Sequence, residues 1–162
     1  MDEQINVREP ESNEMEKALR LVSSVFDKFV APLFSEEGIN QFKFFIEPSN
    51  LETRLQDDGF LLIAEMDREI VGVIAMRDWN HIFLLFVDGK KQRKGIAKML
   101  LDQALQRCKA EGYPPERVTV NSSPNAVEAY RRMGFVQTAE EENRQGVRAV
   151  PMVMDLSNRD AG

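Results

Sequence analysis

Residues 59–101 read "GFLLIAEMDREIVGVIAMRDWNHIFLLFVDGKKQRKGIAKMLL", and no other stretch constrains the fold so tightly. Two runs rich in Ile, Val and Leu flank a polar turn at Met66 to Arg68, the pattern of a β-hairpin. His81 to Asp88 is a third apolar run, and its near-continuous hydrophobicity reads as a strand buried on both faces. Lys90 to Ala97 joins that strand to a helix expected over residues 95–111. There Ile96, Met99, Leu100, Ala104, Leu105 and Cys108 make a broad apolar face, and Gly112, Pro114 and Pro115 end it. A hairpin that feeds a strand–helix unit needs a sheet with helices packed on it.

The flanking segments extend this layout. Ile5 and Val7 alternate with polar neighbours, as in a short edge strand. Leu19, Val22, Phe26 and Phe29 recur at helical spacing over residues 13–30, and Pro32 closes that run. Residues 35–46 read as a second helix, with Ser35 as N-cap and Glu36 and Glu37 in the first turn. A short helical piece is expected around Leu51 to Leu55. Downstream, "RVTVNSS" is a strand. "SPNAVEAYRRMGF" is a short helix with Ser123 as N-cap, Pro124 at its first position and Gly134 past its end. Strands over residues 135–139 and 147–156, joined by a polar turn with Gly146, complete the chain. The order predicts an α/β fold (α+β in some schemes). Its mixed, twisted sheet has about six to seven strands and about four flanking helices.

At 162 residues the chain reads as a single domain over 1–162, with a first segment to residue 57, a core over 58–156 and a tail at 157–162. One cysteine, Cys108, allows no internal disulfide, and no secretory signal is visible, so a cytoplasmic setting is expected. The longest apolar runs, such as "IFLLFV", fall far short of the roughly 20 residues a membrane helix needs. No metal site is read from the sequence. The formal net charge is −6, which argues against broad nucleic-acid binding. Yet four of the five residues from Lys90 to Lys94 are basic.

That basic knot precedes a helix. A helix start leaves about four N–H groups unpaired and carries the positive end of the dipole, which makes it a ready anion site. Gly95 removes the side chain that would keep an oxyanion from the backbone, and Ala97 keeps the next turn slim. The loop is not a Walker loop, because no Gly-Lys-Ser/Thr ends it, and its single glycine is not a dinucleotide fingerprint. A charge run alone is more often a solvated face; the strand–loop–helix context is what favours an anion.

"QRKGIA", Gln92 to Ala97, resembles the Gln/Arg-x-x-Gly-x-Gly/Ala signature of the Gcn5-related N-acetyltransferases (GNAT). "LLFVDGKK" is similar to that family's fourth strand and loop entry, and "VNSSPNAVEAYRRMGF" to its second motif. The likeness covers roughly residues 60–156, and the first 55 in outline; Ala97 stands where many members carry Gly. It implies a three-layer GNAT fold and acetyl-CoA as cosubstrate. The amides of Arg93, Lys94, Gly95, Ile96 and Ala97 would cradle its pyrophosphate, with Gln92 shaping the turn. Phe86 and Val87 would meet the pantetheine arm as a strand partner would. Asn121, Ser123 and Asn125 would contact pantetheine or pyrophosphate, although Ser123 and Asn121 also read as a helix cap and a turn closure.

The implied reaction is acetyl transfer to a primary amine, either a small molecule or a peptide amine. Tyr130 occupies the family's tyrosine position, four residues before Gly134, and is the expected general acid for the leaving thiolate. Without the motif, a tyrosine on a short helix reads as a core aromatic. His81, the only histidine, is the possible general base, against a half-buried strand residue or a water chain. A backbone N–H near Phe86 or Val87 would face the oxyanion. Six of the ten phenylalanines fall between Phe26 and Phe45, as core or as an acceptor wall. A catalytically silent acyl-CoA-binding sensor is the alternative. Nucleic acid and membrane are not expected partners, and monomer and homodimer are both open.

Overall fold

The computed structural model describes residues 4–157, so the expected tail beyond Ser157 lies outside the described residues. Strand β1 (Ile5–Arg8) is followed by helices α1 (Met15–Phe29), α2 (Glu36–Phe45) and α3 (Pro48–Leu55). Strands β2 (Phe60–Met66), β3 (Glu69–Arg77) and β4 (His81–Val87) lead into α4 (Ile96–Ala110). Then come β5 (Arg117–Ser122), α5 (Val127–Arg132), β6 (Val136–Gln137), β7 (Glu142–Arg144) and β8 (Val147–Asp155). The strands form one mixed sheet in the order β1-β2-β3-β4-β5-β8-β6, with β7 beside β8. Every pairing is antiparallel except β4 with β5.

Alternation along the strands divides the core into two layers. Leu62, Ala64, Ile74 and Met76 pack with Ile96, Leu100, Ala104 and Cys108 of α4 and with Tyr130 and Phe135. Leu61, Ile63, Val73 and Ala75 pack on the opposite face with Ala18, Leu19 and Val22 of α1 and with Leu51 of α3. Each fully buried side chain of this kind contributes roughly 1.5–3 kcal/mol relative to exposure. Burial pushes the Cys108 thiol up to about 11, so it packs as a small hydrophobe.

The α/β class, the mixed sheet and the two helical layers follow the expectation. Four details differ. Among the described residues the sheet has eight strands, because the short polar segment Glu142–Arg144 pairs with β8. Five α-helices form among them, because Pro48–Leu55 makes a full element. Ser123 precedes a 3₁₀ turn, Pro124–Ala126, and its side chain makes no capping bond. Burial on both faces holds for Ile82, Leu84 and Val87 of β4, whereas Phe83, Leu85 and Phe86 are half-buried. The cause of this last difference lies in the sheet itself.

Candidate active site

Strands β4 and β5 pair at only two positions, His81↔Thr119 and Ile82↔Val120. Immediately afterwards β4 bulges. Met76 pairs with Ile82 and Ala75 with Leu84, which leaves Phe83 as the extra residue. From there β4 continues on β3 alone and β5 continues on β8 alone, so a wedge opens between them. The Asp88 N–H donates to the Val71 carbonyl at 2.8 Å, and this fixes the alternation. The backbone of Phe86 faces β3, and the backbones of Leu85 and Val87 face the wedge. Val87 therefore turns its backbone to the wedge. Phe86 instead offers its ring to the other face, 5.8 Å from that of Phe42.

The wedge leads to the basic loop. The Asp88 carboxylate accepts the Lys90 N–H at 3.0 Å, and the Lys91 N–H donates to the Asp88 carbonyl at 2.9 Å. Gln92 folds back, its Nε2 donating to the Val87 carbonyl at 3.2 Å, so its side chain does shape the turn. Arg93 and Gly95 both take left-handed backbone conformations, with φ of 68° and 78°. The first helical bond of α4 runs from the Met99 N–H to the Gly95 carbonyl at 3.0 Å. Among the described residues, no acceptor takes the N–H groups of Arg93, Gly95, Ile96 or Ala97. A Cβ built on Gly95 would meet nothing within 4 Å, so the approach to these amides is open. Lys90, Arg93 and Lys94 are exposed around them.

On the other side of the wedge, β5 alternates. Val118, Val120 and Ser122 point into the α4 layer, while Thr119 and Asn121 point to the face that carries α1. His81 and Thr119 share a hydrogen bond of 2.7 Å at the closed end of the wedge. Burial, and then the Arg77 charge, hold the His81 imidazole down at about 4, with Asp78 opposing them. Ser122, the one buried polar residue among the described residues, is satisfied by donating to the Ser123 carbonyl at 2.8 Å. Asn121 and Asn125 are exposed, and the Ser123 hydroxyl is not spent on a cap.

Tyr130 is 6% exposed and packs edge-on against Phe135, with ring centroids 5.3 Å apart. Burial pushes its hydroxyl well above the usual tyrosine range. No group among the described residues bonds that hydroxyl, and it is not one of the sealed, unpaired polar atoms. The ring is therefore core, and the hydroxyl ends where water or a ligand can reach it. Of the expected site residues, His81 sits at the apex of the wedge beside Thr119, Val87 along one wall, Asn121 along the other, and residues 92–97 at its mouth.

The sequence profile of the acetyltransferase (GNAT) domain matches residues 30–156, well over half of the chain. The chain belongs to the GNAT acetyltransferase family. A GCN5-related N-acetyltransferase from Rhodopseudomonas palustris superposes on this GNAT domain with a TM-score of 0.80 at 19% identity, covering 96% of this chain and 99% of that one. PaiA N-acetyltransferase from Thermoplasma acidophilum, solved with coenzyme A, gives a TM-score of 0.74 at 21% identity, covering 94% and 99%. Human N-acetyltransferase 8 is 30% identical over 88 residues, which span 48% of this chain and 39% of that protein.

Two residues at the wedge are not apparent from motifs. Thr119 is one; the period-two alternation of "RVTVNS" puts it beside Asn121, but nothing in that pattern pairs it with His81. Leu85 is the other, since its backbone faces the wedge only because the bulge at Phe83 resets the register of β4.

Proposed function

We propose that this GNAT domain transfers the acetyl group of acetyl-CoA to a primary amine by direct attack within a ternary complex. One observation carries the reading: the open amides of Arg93, Gly95, Ile96 and Ala97 stand at the mouth of a wedge whose wall is the strand-free edge of β4. The amides, the helix dipole and the basic rim suit a diphosphate. The edge at Val87 and Leu85 suits an amide-containing arm that pairs as a strand does. The Thermoplasma relative, solved with coenzyme A, supports this choice of cosubstrate. Asn121, Ser123 and Asn125 hold the far side of the arm.

The chemistry follows from the polarity of the apex. The amine nitrogen attacks the thioester carbonyl carbon, the C–S bond breaks, and one proton leaves the nitrogen. A free alkylamine has a pKa of about 10.4, so it must enter neutral or lose a proton on the way. A wedge-facing N–H at Leu85 or Val87 stabilises the oxyanion. His81 is too weakly basic to keep that proton at neutral pH; its ring relays it to water. The buried Tyr130 hydroxyl is neutral, and it hydrogen-bonds to the departing sulfur and gives it a proton as charge builds there. The elevated affinity of this hydroxyl for its proton makes hydrogen bonding the larger share of its work. A lone buried thiol fits a reducing, cytoplasmic setting.

Coenzyme A titrated calorimetrically should bind, and acetyl-CoA with a panel of amines should release thiol steadily. Tyr130→Phe should lower kcat about tenfold or more, the value of one lost transition-state hydrogen bond, with coenzyme A affinity unchanged. Binding without thiol release for any amine would make this domain an acyl-CoA sensor instead.

A further inference from the structure

One proton must leave an amine that attacks a thioester, and the surroundings of His81 bear on where it goes. The ring is held through both backbone and side chain. His81 stands opposite Thr119 in the parallel pairing of β4 with β5, and opposite Arg77 in the antiparallel pairing with β3. Its Nδ1 lies 2.7 Å from the Thr119 hydroxyl oxygen. Thr119 is itself fixed: its N–H donates to the Asn80 carbonyl at 2.9 Å, and its backbone pairs with Val153 of β8. A β-branched side chain has few rotamers, so this hydroxyl is a stiff partner.

The two ends of the imidazole differ. Nδ1 is taken by Thr119. Among the described residues no group bonds Nε2, and it is not one of the sealed, unpaired polar atoms, so water or substrate can reach it. The ring is half-buried, whereas Thr119 is exposed. The hydroxyl therefore stands between a sheltered imidazole and open solvent. Charge adds a second constraint. Burial and the Arg77 guanidinium oppose a second proton on the ring, and Asp78, the ion-pair partner of Arg77 at 3.0 Å, offsets them only in part. A proton that reaches this ring has to be passed on.

We infer that Thr119 is the positioning residue of the proton exit: its hydroxyl holds the His81 ring with Nε2 free and carries the proton from Nδ1 to bulk water. The step rests on the acetyl transfer proposed above. Nε2 takes up the proton that the amine releases. The Nδ1–H bond breaks as Oγ1 of Thr119 gains that proton, and the proton already on Oγ1 passes to solvent. One proton leaves the amine and one reaches water, so the count balances. The ring ends in its other tautomer, and exchange with water at its two ends restores it. A hydroxyl suits this place because it accepts and donates at the same time. Weak basicity does not hinder a relay, because the imidazole never has to store the proton.

The test is thiol release from acetyl-CoA with 2-phenylethylamine, spermidine and a lysine peptide, followed with whichever amine the wild type uses best. Thr119→Val keeps the side-chain shape and removes the hydroxyl; Thr119→Ser keeps the hydroxyl. Positioned proton transfer is worth roughly 10²–10⁴-fold, and Thr119→Val should lose at least about tenfold of it in kcat, with coenzyme A affinity unchanged. Thr119→Ser should stay within about twofold of wild type. Added imidazole buffer should recover part of the Thr119→Val rate and leave the wild type unmoved, which a merely structural role for Thr119 does not predict. Two residues of one relay act as a unit, so Thr119→Val combined with His81→Gln should be no slower than the slower single variant. Wild-type turnover by Thr119→Val, a loss that neither serine nor imidazole restores, or fully additive losses would overturn the inference and leave the transfer reading intact. No turnover by the wild type with any of the three amines while coenzyme A binds would strike down both.

Discussion

His81 shows how one side chain's surroundings decide its chemistry. An ordinary imidazole titrates at about 6.5 and makes a serviceable base. Here burial and Arg77 lower it to about 4, and Thr119 holds the ring. The sign follows from which state binds the proton first. As pH falls below about 6.5 the unfolded chain takes it and the folded chain does not, so stability present above that value is lost progressively towards pH 4. His81→Gln should therefore lose less stability than wild type between pH 7 and pH 4.5, as read by urea denaturation; parallel losses would refute the shifted imidazole. His81 stands out in the sequence as the only histidine, and Tyr130 by its distance from Gly134. The partner of His81 was not legible, because strand neighbours come from tertiary pairing and leave no local pattern.

At the scale of elements, local periodicity was a good guide wherever one face is buried. Helix α4 lies where the 3.6-residue repeat puts it, and the hairpin Phe60–Arg77, buried on both faces, lies where two runs rich in Ile, Val and Leu flank a polar turn. Strand β7 escaped because "ENR" is polar and exposed throughout, so it carries no periodic signal. The 3₁₀ turn at Pro124–Ala126 escaped because a Ser-Pro start reads equally as an α-helical cap. The start of α4 combines a legible motif with a backbone demand. Gly95→Ala places a methyl in open space at a φ of 78°. The methyl meets no protein atom, so its effect falls on the left-handed conformation and on whatever approaches the amides. Coenzyme A affinity should drop about tenfold, equivalent to about 1.4 kcal/mol, with a smaller change in the unfolding midpoint. Unchanged affinity by calorimetry would mean that the diphosphate sits elsewhere.

For the whole molecule, charge and topology set the terms. A chain of net charge −6 displays its cationic loop against an opposing background field, so attraction of a polyanion depends on proximity. Raising salt from 0.1 M to 1 M shortens the Debye length from about 10 Å to about 3 Å. Coenzyme A should bind several-fold more weakly across that range, and dephospho-coenzyme A, which lacks the 3′-phosphate, should weaken less. Equal salt dependence of the two would remove the basic rim from contact with that phosphate. The order of elements was readable along the chain, but the interleaving of β8 between β5 and β6 was not, since no local signal encodes it. The divergence of β4 from β5 reaches beyond the site it creates. The sheet is two four-stranded halves, β1–β4 and β5–β8, held edge to edge by a seam of two rungs. On the proposed reading, a cosubstrate lying in the cleft below that seam would supply the rungs the polypeptide leaves out, and for as long as it stayed bound it would splice the halves into one continuous ladder.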